Sequence, residues 1–107
     1  MNSQSLEVEV LDGAGSMRAA QQLTNVLREQ GYDVVEMKRN NGEVEERTLI
    51  LDRSGNLDAA RKLAATLGIS QDKVYQKIDR TRYLDLTIVM GKDFSRLKAF
   101  QSSNERK

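Results

Sequence analysis

Asp12 in "VLDGAGS" and Asp52 in "ILDRSGN" are the residues of this chain whose type and context invite a chemical reading, each closing an apolar run and opening a small-residue turn. Two carboxylates brought together raise one another's pKa or hold a hard cation with backbone carbonyls. The competing reading is local. An Asp at a strand end bonds the amides of its own turn, and two such turns coexist without sharing a ligand. Gly13 and Gly15, placed ahead of a helix, offer backbone N–H groups to an anion, with the helix dipole and Arg18 in support. Asp12 opposes that use, because its carboxylate repels phosphate and competes for the same amides, so turn chemistry is favoured. The spacing also lacks the dinucleotide fingerprint, since Arg18 stands where the third Gly belongs. The second turn contributes Arg53 and Asn56, and "MGKDF" contributes Lys92, Asp93 and Phe94. An exposed aromatic beside mixed charges contacts a sugar or a partner chain. The alternative, that Phe94 closes an open edge of the core, is favoured, and Tyr32, Tyr75 and Tyr83 read as core or rim.

Composition narrows the chemistry. The chain of 107 residues has no His and no Cys. Ser-His and Cys-His nucleophile pairs and most zinc sites are thereby excluded, leaving carboxylates, Lys and Tyr as acid-base groups. No metal and no cofactor is expected, and an enzyme is disfavoured because no paired-acid motif exists beyond Asp12 and Asp52. Seventeen basic side chains against sixteen acidic ones give no basic stripe, and the few aromatics make no stacking platform, so no nucleic-acid partner is expected. The first six residues are polar and no apolar run approaches the roughly 20 residues of a bilayer span. Membrane association is therefore expected only through an anchor outside this chain.

The elements that must position these residues come in two similar blocks. At an offset of 40, Leu11, Asp12, Gly15, Ala19, Ala20, Leu23 and Leu27 match Leu51, Asp52, Gly55, Ala59, Ala60, Leu63 and Leu67. Each block reads as strand, turn, helix, strand. Leu6, Val8 and Val10 alternate with Glu7 and Glu9, predicting a half-buried strand with a charged outer face. Ser16 caps a helix whose Ala20, Leu23 and Leu27 form an apolar stripe, Gly31-Tyr32 ends it, and "YDVVEM" is the second strand. In the other block "RTLIL" is the strand, Asn56 the cap, Ala60, Leu63, Ala64 and Leu67 the stripe, and Gly68-Ile69 the stop. "KVYQKI" is a weak strand and "YLDLTIVMG" a strong one. The Asn41-Gly42 pair predicts a tight hairpin turn that makes strands two and three antiparallel neighbours or near neighbours. The pattern predicts an α+β, ferredoxin-like two-layer sandwich with an internal βαβ duplication, two helices covering one face of a four- to five-stranded sheet. In that arrangement strands one and three lie side by side and parallel, and the Asp12–Ser16 and Asp52–Asn56 turns share one sheet edge, the expected functional face. Changing both aspartates to Ala is then expected to leave the fold intact and weaken binding.

Three blocks in order, "VEVLDGAGS" with its helix, "ERTLILDRSGNLDAARKLAATLG" and "YLDLTIVMGKDF", resemble the C-terminal domain of LytR-type proteins, the module appended to many LytR/CpsA/Psr cell-wall ligases. Residues carrying the resemblance include Leu11-Asp12-Gly13-Ala14-Gly15, where the family usually has Asn at position 12, then Thr48, Asp85, Thr87, Gly91, Asp93 and Phe94. The resemblance implies a non-catalytic extracytoplasmic accessory domain of the bacterial envelope, anchored to the membrane in the full-length protein. The implied partner is a peptidoglycan, wall polymer or envelope protein, and a homodimer is possible. Residues 1–5 are expected to be a disordered lead-in, 6–94 the domain and 95–107 a slightly basic polar tail. The alternative function is an ACT-like domain that binds a small regulatory ligand.

Overall fold

The computed structural model describes residues 5–101; most of the expected lead-in and the end of the tail lie outside the described residues. The elements run β1 (Glu7–Asp12), α1 (Met17–Glu29), β2 (Asp33–Arg39), β3 (Leu49–Asp52), α2 (Leu57–Leu67), β4 (Val74–Gln76), β5 (Leu86–Met90) and α3 (Lys98–Gln101). Short 3-10 turns occupy Gln71–Lys73, Arg80–Arg82 and Lys92–Arg96.

Both long helices begin on a side-chain cap, because the first amides of a helix have no internal acceptor. Ser16 Oγ accepts from the Ala19 amide at 3.1 Å, and Asn56 Oδ1 from the Ala59 amide at 3.1 Å. Each helix ends where the chain folds back: the Tyr32 amide donates to the Leu27 carbonyl at 3.0 Å and the Ile69 amide to the Ala64 carbonyl at 2.8 Å. Between the caps, Ala20, Leu23 and Leu27 of α1 and Ala60, Leu63, Ala64 and Leu67 of α2 enter one core with Val8, Val10, Ile50, Leu86, Ile88 and Met90 of the sheet. Full burial of each such Leu is worth about 2–3 kcal/mol over exposure. Both helices therefore cover the same face, and the chain is an α+β two-layer sandwich. The core continues past Phe94, since Leu97 is buried and Phe100 packs against it.

The strand order is β2-β1-β5-β3-β4. β1 and β2 are parallel neighbours, as are β3 and β4, while β5 lies parallel to β1 and antiparallel to β3. This corrects the ferredoxin-like arrangement in two respects: β1 and β3 are not neighbours, and they run in opposite directions. The cause is the composition of β5. Its residues, LTIVM, are buried on both faces, which only a central position supplies. The order also removes the ground for an ACT-type reading, which rested on the ferredoxin-like sandwich.

The hairpin expectation holds for direction, since β2 and β3 run antiparallel, and is corrected for pairing, since β1 and β5 stand between them. Asn41 and Gly42 both take positive φ, and the Glu43 amide closes the turn on Asn40 O at 2.8 Å. The turn forms, but the chain leaving it does not pair with β2. It crosses the ends of β1 and β5 to reach β3 on the far side. Glu45 anchors the crossing, donating to Gly13 O at 2.8 Å and accepting from the Lys92 amide at 2.8 Å.

Gly91 marks where this crossing presses hardest on the sheet. A Cβ there would stand 2.5 Å from the Arg47 carbonyl carbon and 2.8 Å from the Thr48 nitrogen, both backbone atoms that cannot yield as a side chain would. Gly91→Ala is expected to cost about 3 kcal/mol or more in urea unfolding, at the upper end of overpacking penalties. A variant with unchanged stability would show that the crossing segment is not seated as described.

Candidate functional site

Asp52 Oδ1 accepts from the amides of Ser54, Gly55 and Asn56 at 3.2, 2.9 and 2.9 Å, and Gln76 Nε2 donates to Oδ2 at 2.8 Å. Asp12 Oδ1 accepts from the Ala14 and Gly15 amides at 2.9 and 3.0 Å, while its buried Oδ2 has no partner among the described residues. Gly15 and Gly55 occupy equivalent places with φ of +78° and +92°, the left-handed region where a Cβ is penalised. The backbone around the two turns corresponds too. Asn40 N donates to Asp12 O and Lys77 N to Asp52 O, while Gly13 N donates to Met90 O and Arg53 N to Asp85 O.

These contacts locate the turns. Asp12 lies opposite Met90 and Asp52 opposite Leu86, at the two ends of β5. The shared edge, and with it a cation held between the two carboxylates, is therefore corrected: because β1 and β3 are antiparallel in direction, their C-terminal turns face away from each other. The bonds that both carboxylates make to their own turn amides argue against the expectation that Asp12 and Asp52 can be lost together without harm to the fold. The Ala14 and Gly15 amides are already taken by Asp12. Gly13 is buried against Met90 O and Glu45, and Arg18 is exposed on α1.

The "MGKDF" segment lies at the Asp12 end. Asp93 Oδ1 accepts from the Thr48 amide at 2.9 Å and its hydroxyl at 2.8 Å, and Thr48 Oγ1 in turn accepts from the Gly91 amide at 2.9 Å. This joint fixes the crossing segment to the end of β5. Phe94 packs against the core and meets Phe100 edge-on, with ring centroids 5.3 Å apart. Lys92 is exposed.

The opposite end holds residues that sequence reasoning missed. Glu9, read as part of a charged outer face, is buried on the helix-free side of the sheet. Its Oε2 accepts from Arg82 Nη1 at 2.7 Å and Thr87 Oγ1 at 2.7 Å, and Arg53 Nε donates to Thr87 Oγ1 at 3.0 Å. A buried carboxylate needs such partners. The signal available in the sequence was Thr87, a hydroxyl in the middle of an otherwise apolar strand. Asp85 Oδ2 accepts from the Glu7 amide at 2.8 Å, so the 77–85 segment is tied to β1 at its end and through Arg82. Tyr83, expected at core or rim, is 86% exposed with φ of +54°. With Glu7, Arg53, Ser54, Arg80, Leu84 and Asp85 it borders a cavity of about 340 Å³.

Burial raises the Asp52 pKa, but the bonds from Gln76, Asn56, Ser54 and Gly55 outweigh it and hold the carboxyl below its ordinary value. A carboxyl with a depressed folded-state pKa stabilises the fold above its unfolded-state pKa of about 3.9 and loses that contribution as pH falls through the lower folded-state value. Asp52→Ala, which strands three amides, is expected to cost about 3 kcal/mol at neutral pH. Asp52→Asn retains an acceptor, so it should cost less and flatten the loss of stability below about pH 4. Denaturant melts across pH check both, and an Asp52→Ala melt matching the parent would refute the role.

No curated protein and no solved structure matches the chain. Among the described residues no helix is long and apolar enough to cross a membrane. Residues 5–94 match the family described as LytR cell envelope-related transcriptional attenuator, so the chain, with the Asp12 turn, the Thr48–Gly91–Asp93 joint and the Asp85–Thr87 strand in place, belongs to that cell-envelope family.

Proposed function

We propose that this chain is a non-catalytic, extracytoplasmic accessory domain that binds a component of the cell envelope, and that its contact surface is the sheet end carrying the 77–85 segment. Family membership supports the location, and Tyr83 is the observation that carries the binding. A left-handed backbone costs a non-Gly residue about 1–2 kcal/mol. Here that conformation delivers a ring into solvent, where it gains nothing from the core. The segment is anchored before the ring by the Lys77 amide on Asp52 O, the Asp79 amide on Arg53 O and the Arg82 bridge to Glu9, and after it by the Asp85 amide on Glu7 O. Strain held in place by its surroundings is a mark of function.

The surroundings of the ring fit a polysaccharide. An aromatic face takes the C–H face of a sugar, while Arg53, Arg80 and Asp85 offer donors and acceptors for hydroxyls around the same cavity. Ile78 is 48% exposed and stands over Gly55, next in the chain to the Ser54 that lines the cavity. Of the residues singled out in the sequence, Arg53 lines this surface, with Asp52 and Asn56 shaping the turn beneath it.

Sedimentation with purified peptidoglycan sacculi tests the proposal. The parent chain is expected to co-sediment, and Tyr83→Ala to weaken retention roughly fivefold, the worth of about 1 kcal/mol of aromatic contact. Tyr83→Gly should weaken retention likewise while raising folding stability by up to about 1 kcal/mol, because the left-handed strain is relieved. Retention unaffected by either change would overturn this surface.

A further inference from the structure

At the other end of the sheet a second cavity, of about 230 Å³, lies among the start of β3, the C-terminal cap of α2, the turn that precedes β4 and the turn that follows β5. Arg47, Lys73 and Arg96 reach it from three separate stretches of chain, together with Thr48, Ser70 and Asp93. Among the described residues none of these three cations has a carboxylate partner within ion-pair distance; the ion pairs present are Lys38–Glu36, Arg82–Glu9 and Arg82–Asp79.

Two acidic groups at the cavity, Asp93 and Asp72, are bonded to its hydroxyl side chains. Asp93 is bonded through Oδ1 to Thr48, as described above. Asp72 bonds the Ser70 hydroxyl, and that bond first, then the Lys73 and Arg47 charges, hold its carboxyl below its ordinary value. Three positive groups against these two negative ones leave the cavity net positive.

A competing role is to neutralise the negative end of α2, which points toward this region. The geometry does not require it. The Ala64 and Ala65 carbonyls already accept from the Ile69 and Gly68 amides, and the Lys98 stem covers Gly68.

We infer that this cavity binds a phosphate group carried by the envelope ligand, with Arg47 and Arg96 offering guanidinium donors and Lys73 a further charge. Two planar guanidiniums match the several acceptor oxygens of phosphate, which a single carboxylate does not supply. The volume admits a phosphate and its ester link but is smaller than the pockets that enclose whole drug-sized ligands, so the rest of the ligand lies outside. The inference deepens the envelope-binding reading and rests on it for the identity of the carrier.

The test is an amide-shift titration of the intact chain with inorganic phosphate against chloride at matched ionic strength, followed by sedimentation with sacculi before and after removal of their phosphodiesters by hydrofluoric acid. Phosphate should shift the amides of Thr48, Ser70 and Asp93, and an Arg47→Gln/Arg96→Gln double variant should bind it about tenfold or more weakly. The double variant should also keep or gain thermal stability at low salt, where a helix-capping role would lower it. Shifts no larger than those of chloride, or unchanged in the double variant, would overturn the site. Sacculi retained equally after phosphodiester removal and by the double variant would overturn it too, while leaving the envelope-binding reading intact. Phosphate bound at the cavity without any retention on sacculi would support the site and overturn the envelope reading instead.

Discussion

The structure depends on the demand of β5 to be buried on both faces. Leu86, Ile88 and Met90 face the helices, while Thr87 and Val89 are covered on the other side, so the strand has no solvent-facing row. Only the middle of the sheet satisfies it. Once β5 stands there, each parallel βαβ unit must sit on one flank, and the two units meet across it rather than directly. Everything that follows, including the opposite placement of the Asp12 and Asp52 turns, is a consequence of that position. The chain then has two long connections to make, from β2 to β3 across one sheet end and from β4 to β5 across the other.

Those connections explain the work of the polar motif residues. Asp12 and Asp52 close the turns that the connections lean on. Thr48, Gly91 and Asp93 lock the first crossing to the end of β5. Asp85, Thr87 and Glu9, with Arg82 and Arg53, lock the second. Most of the residues that carry the family resemblance thus hold the frame. The side chains proposed to meet a ligand, Tyr83 and Arg80 at one end and Arg47, Lys73 and Arg96 at the other, stand outside those joints. A short domain with little core to spare places its buried hydrogen bonds where crossings must be fixed and leaves recognition to exposed groups.

Local structure was legible in the sequence because its causes are local. The Ser16 and Asn56 caps, the Gly31-Tyr32 and Gly68-Ile69 stops and the Asn41-Gly42 turn depend on residues within a few positions of one another. Strand order was less so, since nothing in "NNGEVEE" says whether the chain returns beside β2 or passes over the sheet. One clue was present in "LTIVM", apolar but for Thr87, a run that suits a strand covered on both faces, whereas the alternation in "LEVEV" gave no sign that Glu9 is buried as well. The Glu9–Arg82 pairing joins residues 73 positions apart and had no local trace. The exposure of Tyr83 was equally hidden, because a Tyr reads as core or rim unless its backbone conformation is known.

The central claim, that β5 separates the two βαβ units, is tested most directly by proton–proton contacts across the sheet in solution NMR. The account predicts ladder contacts from Ile88 to both Val10 and Ile50, on opposite sides of β5. Direct backbone contacts between Val10 and Ile50 at the spacing of neighbouring strands would contradict it, because they would put β1 beside β3 and bring the two aspartate turns to one edge.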